Sequence, residues 1–112
     1  MNRPPGDLAT NELRQRLLGE TALAPWTELQ RFFAGGKVLA AQRSLDLIDV
    51  AIAFAEDNSE RVQGWLQSGE VAPVTDDEAR HWFEADAELW TVVVKPWLLV
   101  QTQEEDRAGP ES

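Results

Sequence analysis

The fold is decided by residues 82–101, which read WFEADAELWTVVVKPWLLVQ. This stretch holds three of the chain's five tryptophans and its longest β-branched run. It reads as the end of a helix that leads into one long, largely buried strand over residues 91–101. We interpret Pro96 as a kink within that strand, because the favoured two-residue hairpin turns need positive φ angles that proline cannot adopt. The other apolar segments are expected to pack against this strand.

Apolar residues at helical spacing, interrupted by glycine, proline and capping residues, predict five short helices. The first is capped by Asp7 or Thr10 and is expected to end near residues 22–24, because the residue before Pro25 is disfavoured in a helix. Pro25 suits the first turn of the second helix. The remaining helices are expected to run from Pro25 to Gly35, over residues 46–56, from Asp57 to Gly69, and from residue 76 onward.

Three further helices carry capping signals at their starts. The clearest is Thr75-Asp76-Asp77-Glu78, a capping box of the S/T-x-x-E type. Asp46 can cap the third helix, and Asp57 with Glu60 has capping-box spacing at the start of the fourth. The side of the third helix that carries Asp46, Asp49, Ala53, Glu56 and Asp57 is expected to be solvated.

Three strands are predicted, over residues 37–42, 70–74 and 91–101, with Pro73 confining the second to an edge or a bulge. The fold class is therefore α+β, with about five short helices on a small sheet of about three strands. A nearly all-helical bundle with one hairpin is the alternative. With 112 residues the chain makes one domain, expected over residues 8–102 between disordered tails at 1–7 and 103–112.

Charge is unevenly distributed along the chain, which has ten basic and twenty acidic residues and a net charge of -10. Residues 1–43 hold six basic and four acidic residues, whereas residues 44–112 hold four and sixteen. Such a negative surface repels phosphate backbones and anionic lipid, so neither nucleic acid nor a membrane is an expected partner. The simplest interpretation of the asymmetry is a solubilising surface with an acidic tail. The alternative is that the mildly basic N-terminal third contacts an acidic protein surface, such as that of a second copy. The lack of cysteine, of a signal peptide and of a membrane-length apolar run indicates a cytoplasmic protein.

Motifs for catalysis or cofactor binding are missing from the sequence. Gly35-Gly36-Lys37 lacks the frame of a phosphate-binding loop, and there is no nucleophile elbow. The single histidine, His81, falls on the exposed side of its predicted helix, so no metal site is expected. These observations favour a non-enzymatic protein without a cofactor.

The tryptophans and two acidic residues are the candidate binding residues. Each tryptophan can bury about 150–250 Å² in a core, but tryptophan is also enriched where one end of the ring stays in contact with water. Asp86 follows Trp82 and Phe83 on the same helical stripe. Either the helix ends near Ala85 and Asp86 caps a further turn through Leu89, or the helix continues and a carboxylate lies among tryptophans, where desolvation would raise its pKa.

A series of short motifs resembles a known bacterial family. The motifs are ETA (20–22), PW (25–26), ELQRFFA (28–34), GKV (36–38), LDL (45–47), VAPV (71–74) and WTVVVKPWLLVQ (90–101). They are similar to the family called domain of unknown function 2288 over nearly all of residues 12–102. The resemblance implies a small cytosolic bacterial protein and supplies no catalytic residue.

Two functional hypotheses follow from these observations. The first is an interaction or structural protein that self-associates or binds another protein, which the tryptophan excess and the charge asymmetry favour. The alternative is a small-molecule-binding protein or enzyme. Its pocket would be formed by Trp26, Trp82, Trp90 and Trp97, with Glu20 and Asp86 as polar anchors.

Overall fold

The computed structural model describes the backbone of residues 5–103 and the side chains of residues 11–103. Within this range the chain forms five helices and five strands. The helices are α1 (Pro5–Glu20), α2 (Trp26–Ala34), α3 (Leu47–Ala55), α4 (Ser59–Ser68) and α5 (Asp76–Glu84). The strands are β1 (Ala22–Pro25), β2 (Val38–Ala41), β3 (Val71–Pro73), β4 (Glu88–Val94) and β5 (Trp97–Thr102). The predicted α+β class is confirmed, with five strands in place of about three, and the helical-bundle alternative is wrong.

The strands form a single mixed sheet in the order β1-β4-β5-β2-β3. Only the β5–β2 pair is parallel, and the other three pairs are antiparallel. Successive residues of β5 point to opposite faces, so that Leu98 packs in one apolar cluster and Leu99 in another. This two-sided burial explains why β5 reads as a continuous apolar run and not as an alternating pattern.

The two clusters lie on opposite faces of the sheet. The first, which we call the Trp26 cluster, combines residues of α2 and α5 with one face of the strands: Trp26, Leu29, Val38, Val74, Ala79, Trp82, Leu89, Leu98 and Val100. The second, the Val50 cluster, combines α1 and α3 with the other face: Leu17, Leu39, Ala41, Leu47, Ile48, Val50, Ala51, Ile52, Val71, Val92 and Leu99. The helices are therefore arranged in two layers with the sheet between them.

The prediction of one kinked strand over residues 91–101 is wrong. β4 and β5 form an antiparallel hairpin in which Val94 pairs with Trp97, and Lys95 and Pro96 make the turn. The Lys95–Pro96 peptide bond is cis. Pro96 is the third residue of the four-residue turn from Val94 to Trp97. A cis proline at this position is characteristic of a type VI turn, which needs no positive φ angle.

Strand β1 was not predicted. Helix α1 ends at Glu20, and residues Ala22–Pro25 pair antiparallel with β4, with Leu23 opposite Trp90. Pro25 ends this edge strand, where a missing backbone donor is tolerated, and serves as the N-cap of α2. The four residues have no β-branched side chain, so only their pairing with β4 makes them a strand.

Helix α3 is less exposed than its sequence predicts. Ala53, expected on the solvated side, is 1% exposed. Arg14 of α1 donates a hydrogen bond to Asp49, and this bond raises the pKa of the Arg14 guanidinium above its usual value. The expectation of a fully solvated side is thus wrong because α1 covers part of it. Asp46 caps α3 as predicted, its side chain accepting from the Ile48 backbone N–H at 2.9 Å.

The ends of the chain fall partly outside the described residues. Helix α1 begins at Pro5, upstream of the expected caps Asp7 and Thr10, and proline suits a first helical turn. Residues 1–4 and 104–112, which carry most of the two predicted tails, lie outside the described part of the chain. Among the residues that are described, no helix is long and apolar enough to cross a membrane.

The predicted capping box of α5 is confirmed. The Thr75 hydroxyl accepts from the Glu78 backbone N–H at 3.1 Å, and the Glu78 carboxylate accepts from the Thr75 N–H at 3.0 Å.

We expect Thr75→Ala to lower the free energy of unfolding by about 1 kcal/mol, measured by urea denaturation. Thr27, exposed within α2, is the matched control, and Thr27→Ala should change stability by less than about 0.5 kcal/mol. Equal effects of the two substitutions would contradict a capping role.

Candidate functional site

Two of the candidate tryptophans are core residues. Trp26 is 1% exposed and Trp82 is 7% exposed, and both belong to the Trp26 cluster. Their rings meet edge to face with centroids 5.2 Å apart, and Phe33 lies 5.6 Å from Trp26. Such aromatic packing stabilises a core. Trp26 therefore has no open surface for a ligand, and Trp82 reaches only a small depression of about 210 Å³.

Trp90 and Asp86 lie apart from that pair. Trp90 is 40% exposed beside Leu23 and points to the sheet face opposite Leu89. Asp86 is exposed and has a φ angle of 53°, directly after Ala85, the C-cap of α5. The helix therefore ends near Ala85, as one interpretation held, but the further helical turn through Leu89 is wrong because Leu89 lies in β4. Asp86 is therefore an exposed turn residue, and its carboxylate does not lie among tryptophans.

Trp97 lines a concave site that the sequence did not reveal. A cleft of about 520 Å³ opens between α4 and the β4–β5 turn, on the side of the sheet that carries the Val50 cluster. We call it the Trp97 cleft. Its apolar lining residues are Leu39, Phe54, Val62, Leu66, Pro73, Pro96 and Trp97. Asp57, Ser59, Gln63 and Lys95 supply polar groups, and Gly36 completes the lining. Its size and its mixture of an apolar wall with a few polar groups are typical of ligand sites.

Helix α4 forms one wall of the cleft and is the least buried helix whose side chains are described throughout. None of its residues is buried, although Val62 and Trp65 are partly covered. Asp57 before it has a φ angle of 56°, and Gly69 after it has a φ angle of 84°. Asn58, and not the predicted Asp57, caps the helix by accepting from the Arg61 N–H at 3.3 Å. Asp57 therefore does not cap the helix, and it lines the cleft instead.

Three charged residues lie in the cleft or beside it. Lys95 and Asp57 line it directly, and the Nζ atom of Lys37 lies 5.9 Å from the centroid of the Trp97 ring. A second depression of about 480 Å³ shares Phe54, Asp57 and Lys95 with the cleft and also contains Glu20. Of the predicted site residues, Glu20 and Trp97 therefore lie in adjoining depressions. Trp26, Trp82, Asp86 and Trp90 line neither of them.

Most of this site was not predicted, because its residues come from five separate elements and three turns. One signal was present, since the chain has only two lysines, Lys37 and Lys95, and the second stands in Lys95-Pro96-Trp97. Only the parallel pairing of β2 with β5 brings the start of β2 beside Trp97. Across the side chains of residues 11–103, no group of three or more histidine or acidic residues is placed to hold a metal ion.

Comparisons with known proteins place the chain in a family. The structure is similar to the NMR solution structure of PA1075 from Pseudomonas aeruginosa, with a TM-score of 0.75 and 43% sequence identity. The match covers 88% of this chain and 92% of that one. No curated protein matches the sequence. The family model described as protein of unknown function DUF2288 matches residues 12–102, and the chain therefore belongs to that family.

Proposed function

We propose that the protein binds a small, largely apolar molecule in the Trp97 cleft. The observation that carries the proposal is the concave apolar wall formed by Trp97, Phe54 and Leu66, with Asp57 and Lys95 at its margin. Burial of apolar ligand surface supplies affinity, and a few polar groups orient the ligand. The proposal keeps the small-molecule hypothesis but moves its site from the buried tryptophans to Trp97.

The indole N–H signals in an NMR titration test this proposal. Addition of octanol, a neutral apolar probe, should shift the Trp97 indole signal in a saturable way. The signals of Trp26 and Trp82 should stay in place, because both rings are buried in the cluster on the other face of the sheet. Saturable shifts confined to Trp90, or no saturable shift, would contradict the proposal.

A cleft-filling substitution gives a sharper test. Leu66 is 37% exposed on α4 and lines the cleft, so Leu66→Trp should fill part of it and weaken octanol binding at least about tenfold. Leu18→Trp is the matched control, because Leu18 is 49% exposed on α1 and does not line the cleft. Unchanged binding by Leu66→Trp, or equal loss by both variants, would place the octanol site elsewhere.

Self-association is a second candidate, favoured by one exposed apolar pair. Leu23 and Trp90 lie opposite each other on β1 and β4, and each is 40% exposed at the outer edge of the sheet. Paired exposed side chains of this kind can meet the same patch on a second copy across a two-fold axis. Pro25 lacks the backbone donor that strand addition would use, so the contact would be made through side chains.

The charge asymmetry adds little support to this second candidate. Arg14 and Arg16, two of the basic residues of the N-terminal third, form ion pairs within the chain. Size-exclusion chromatography with light scattering across salt concentrations tests self-association directly. A concentration-dependent dimer that Trp90→Ser abolishes is expected, and a strict monomer at high concentration would contradict it.

A further inference from the structure

Both lysines of the chain lie at the Trp97 cleft. Lys95 lines it from the β4–β5 turn, and Lys37 places its Nζ atom 5.9 Å from the Trp97 ring centroid. The two residues are 58 positions apart in sequence, and the parallel β2–β5 pair brings them to the same end of the sheet. One ammonium group therefore lies over the Trp97 ring, and a second lysine lines the same cleft.

Neither lysine has a carboxylate partner among the described side chains. The ion pairs found there join Arg14 to Asp49 and Asp46, Arg16 to Glu20, and Arg80 to Asp77. Acidic residues outnumber basic ones two to one in the sequence, so partners are plentiful. Arg31 and Arg61 also have no ion pair among the described side chains, and each stacks on an aromatic ring of its own helix. What sets the two lysines apart is their position beside one apolar cleft.

The acidic groups near the lysines do not cancel their charge. Asp57 lines the cleft, but its carboxylate forms no ion pair with either lysine. Glu20 lies in the adjoining depression and pairs with Arg16 at 3.9 Å. Asp57 and Lys95 line the cleft with opposite charges, and Lys37 beside Trp97 adds a second positive charge. These three side chains together carry one net positive charge on a protein whose overall charge is -10.

We infer that the ligand of the Trp97 cleft is a small amphipathic anion. Its apolar body packs on Trp97, Phe54 and Leu66, and its single anionic group, of the carboxylate type, lies between Lys37 and Lys95. This inference rests on the proposed function, since it names the chemical class that the same cleft takes. An anion satisfies both lysines, whereas a cation would meet their repulsion.

Three probes with the same alkyl chain test the charge preference: octanoate, octanol and octylammonium. The Trp97 indole signal reports each dissociation constant at neutral pH. We expect octanoate to bind about 3- to 10-fold more tightly than octanol, with octylammonium the weakest, since partly exposed ionic contacts contribute modestly. Added salt should reduce the advantage of octanoate and leave octanol binding unchanged.

Charge variants assign the preference to particular side chains. Lys37→Gln and Lys95→Gln should each remove part of the octanoate advantage, and the double variant should abolish it, while octanol binding persists. Arg80→Gln is the matched control, because it makes the same change in net charge on α5, beyond the opposite face of the sheet. Asp57→Asn should strengthen octanoate binding about 2- to 5-fold by removing a like charge, and asparagine tolerates the positive φ angle found there.

The outcomes separate this inference from the proposed function. Equal binding of octanoate and octanol, a preference for octylammonium, or an octanoate preference that survives the double lysine variant would overturn the anionic class. In each of these cases octanol binding at Trp97 would still support the cleft itself. Failure of all three probes to shift the Trp97 signal would overturn both.

Discussion

Trp26→Ala is expected to lower the free energy of unfolding by about 3–5 kcal/mol. The Trp26 side chain is 1% exposed, and its ring contacts both Trp82 and Phe33. Removal of the indole leaves a cavity that the surrounding helices α2 and α5 can fill only in part. Because a domain of this size is stable by about 5–15 kcal/mol, the variant should be close to the limit of folding.

Trp90→Ala is the matched control for this loss of stability. Trp90 is 40% exposed, so the same substitution should cost less than about 1.5 kcal/mol in urea denaturation. If Trp26→Ala does not fold, Trp26→Phe can be measured instead, because it keeps an aromatic ring. Its loss in the free energy of unfolding should lie between those of Trp90→Ala and Trp26→Ala. A cost for Trp90→Ala that equals or exceeds that of the Trp26 variants would contradict the assignment of Trp26 to the core.

Trp97→Ala is expected to weaken binding of octanol and octanoate at least about tenfold, a change of about 1.4 kcal/mol in binding free energy. The indole of Trp97 forms the aromatic part of the cleft wall and also packs against the Val50 cluster. The same substitution should lower the free energy of unfolding by about 1–3 kcal/mol, since the ring is only partly buried. Isothermal titration calorimetry and urea denaturation measure the two effects separately.

Trp65→Ala distinguishes loss of the site from loss of stability. Trp65 is partly buried against the same cluster, but it does not line the cleft, and Arg61 stacks over its ring at 4.8 Å. Its replacement should lower stability by an amount similar to that for Trp97→Ala, while leaving ligand affinity within about threefold of the original value. If both variants lose binding equally, the effect of Trp97→Ala reflects general destabilisation and not contact with the ligand.

Local features of the fold were predictable where one residue and its neighbours decide the geometry. The Thr75–Glu78 box, the Asp46 cap and the glycine at residue 69, whose φ angle is 84°, each follow from short-range chemistry. Leu98 and Leu99 were correctly expected to be buried, although their opposite orientations require the helices on both faces of the sheet.

Features that depend on distant parts of the chain were not predictable in the same way. Residues 22–25 become a strand only because β4 offers them a partner, and their composition favours no strand. The turn at Pro96 contains a cis peptide bond, which the sequence does not specify. The first error leaves out a strand beside the predicted core strand, and the second treats β4 and β5 as one strand.

The candidate site shows the same limit. Trp97 and Glu20 could be selected as unusual residues, but nothing local distinguishes Trp97 from the buried Trp26 and Trp82. The difference arises from topology, because the β2–β5 pairing and the position of α4 leave one side of Trp97 uncovered. Lys37 and Lys95 come together for the same reason, and neither was selected from the sequence, although they are the only two lysines it contains.

Nuclear Overhauser effects between octanoate and the protein test the ligand site most directly. We expect contacts from the alkyl protons to the Trp97 and Phe54 rings and to the Leu66 methyl groups, with the carboxyl end of the probe nearest Lys37 and Lys95. Contacts from octanoate to Leu23 and Trp90 instead, or no contact with any residue of the Trp97 cleft, would contradict a ligand site in this cleft.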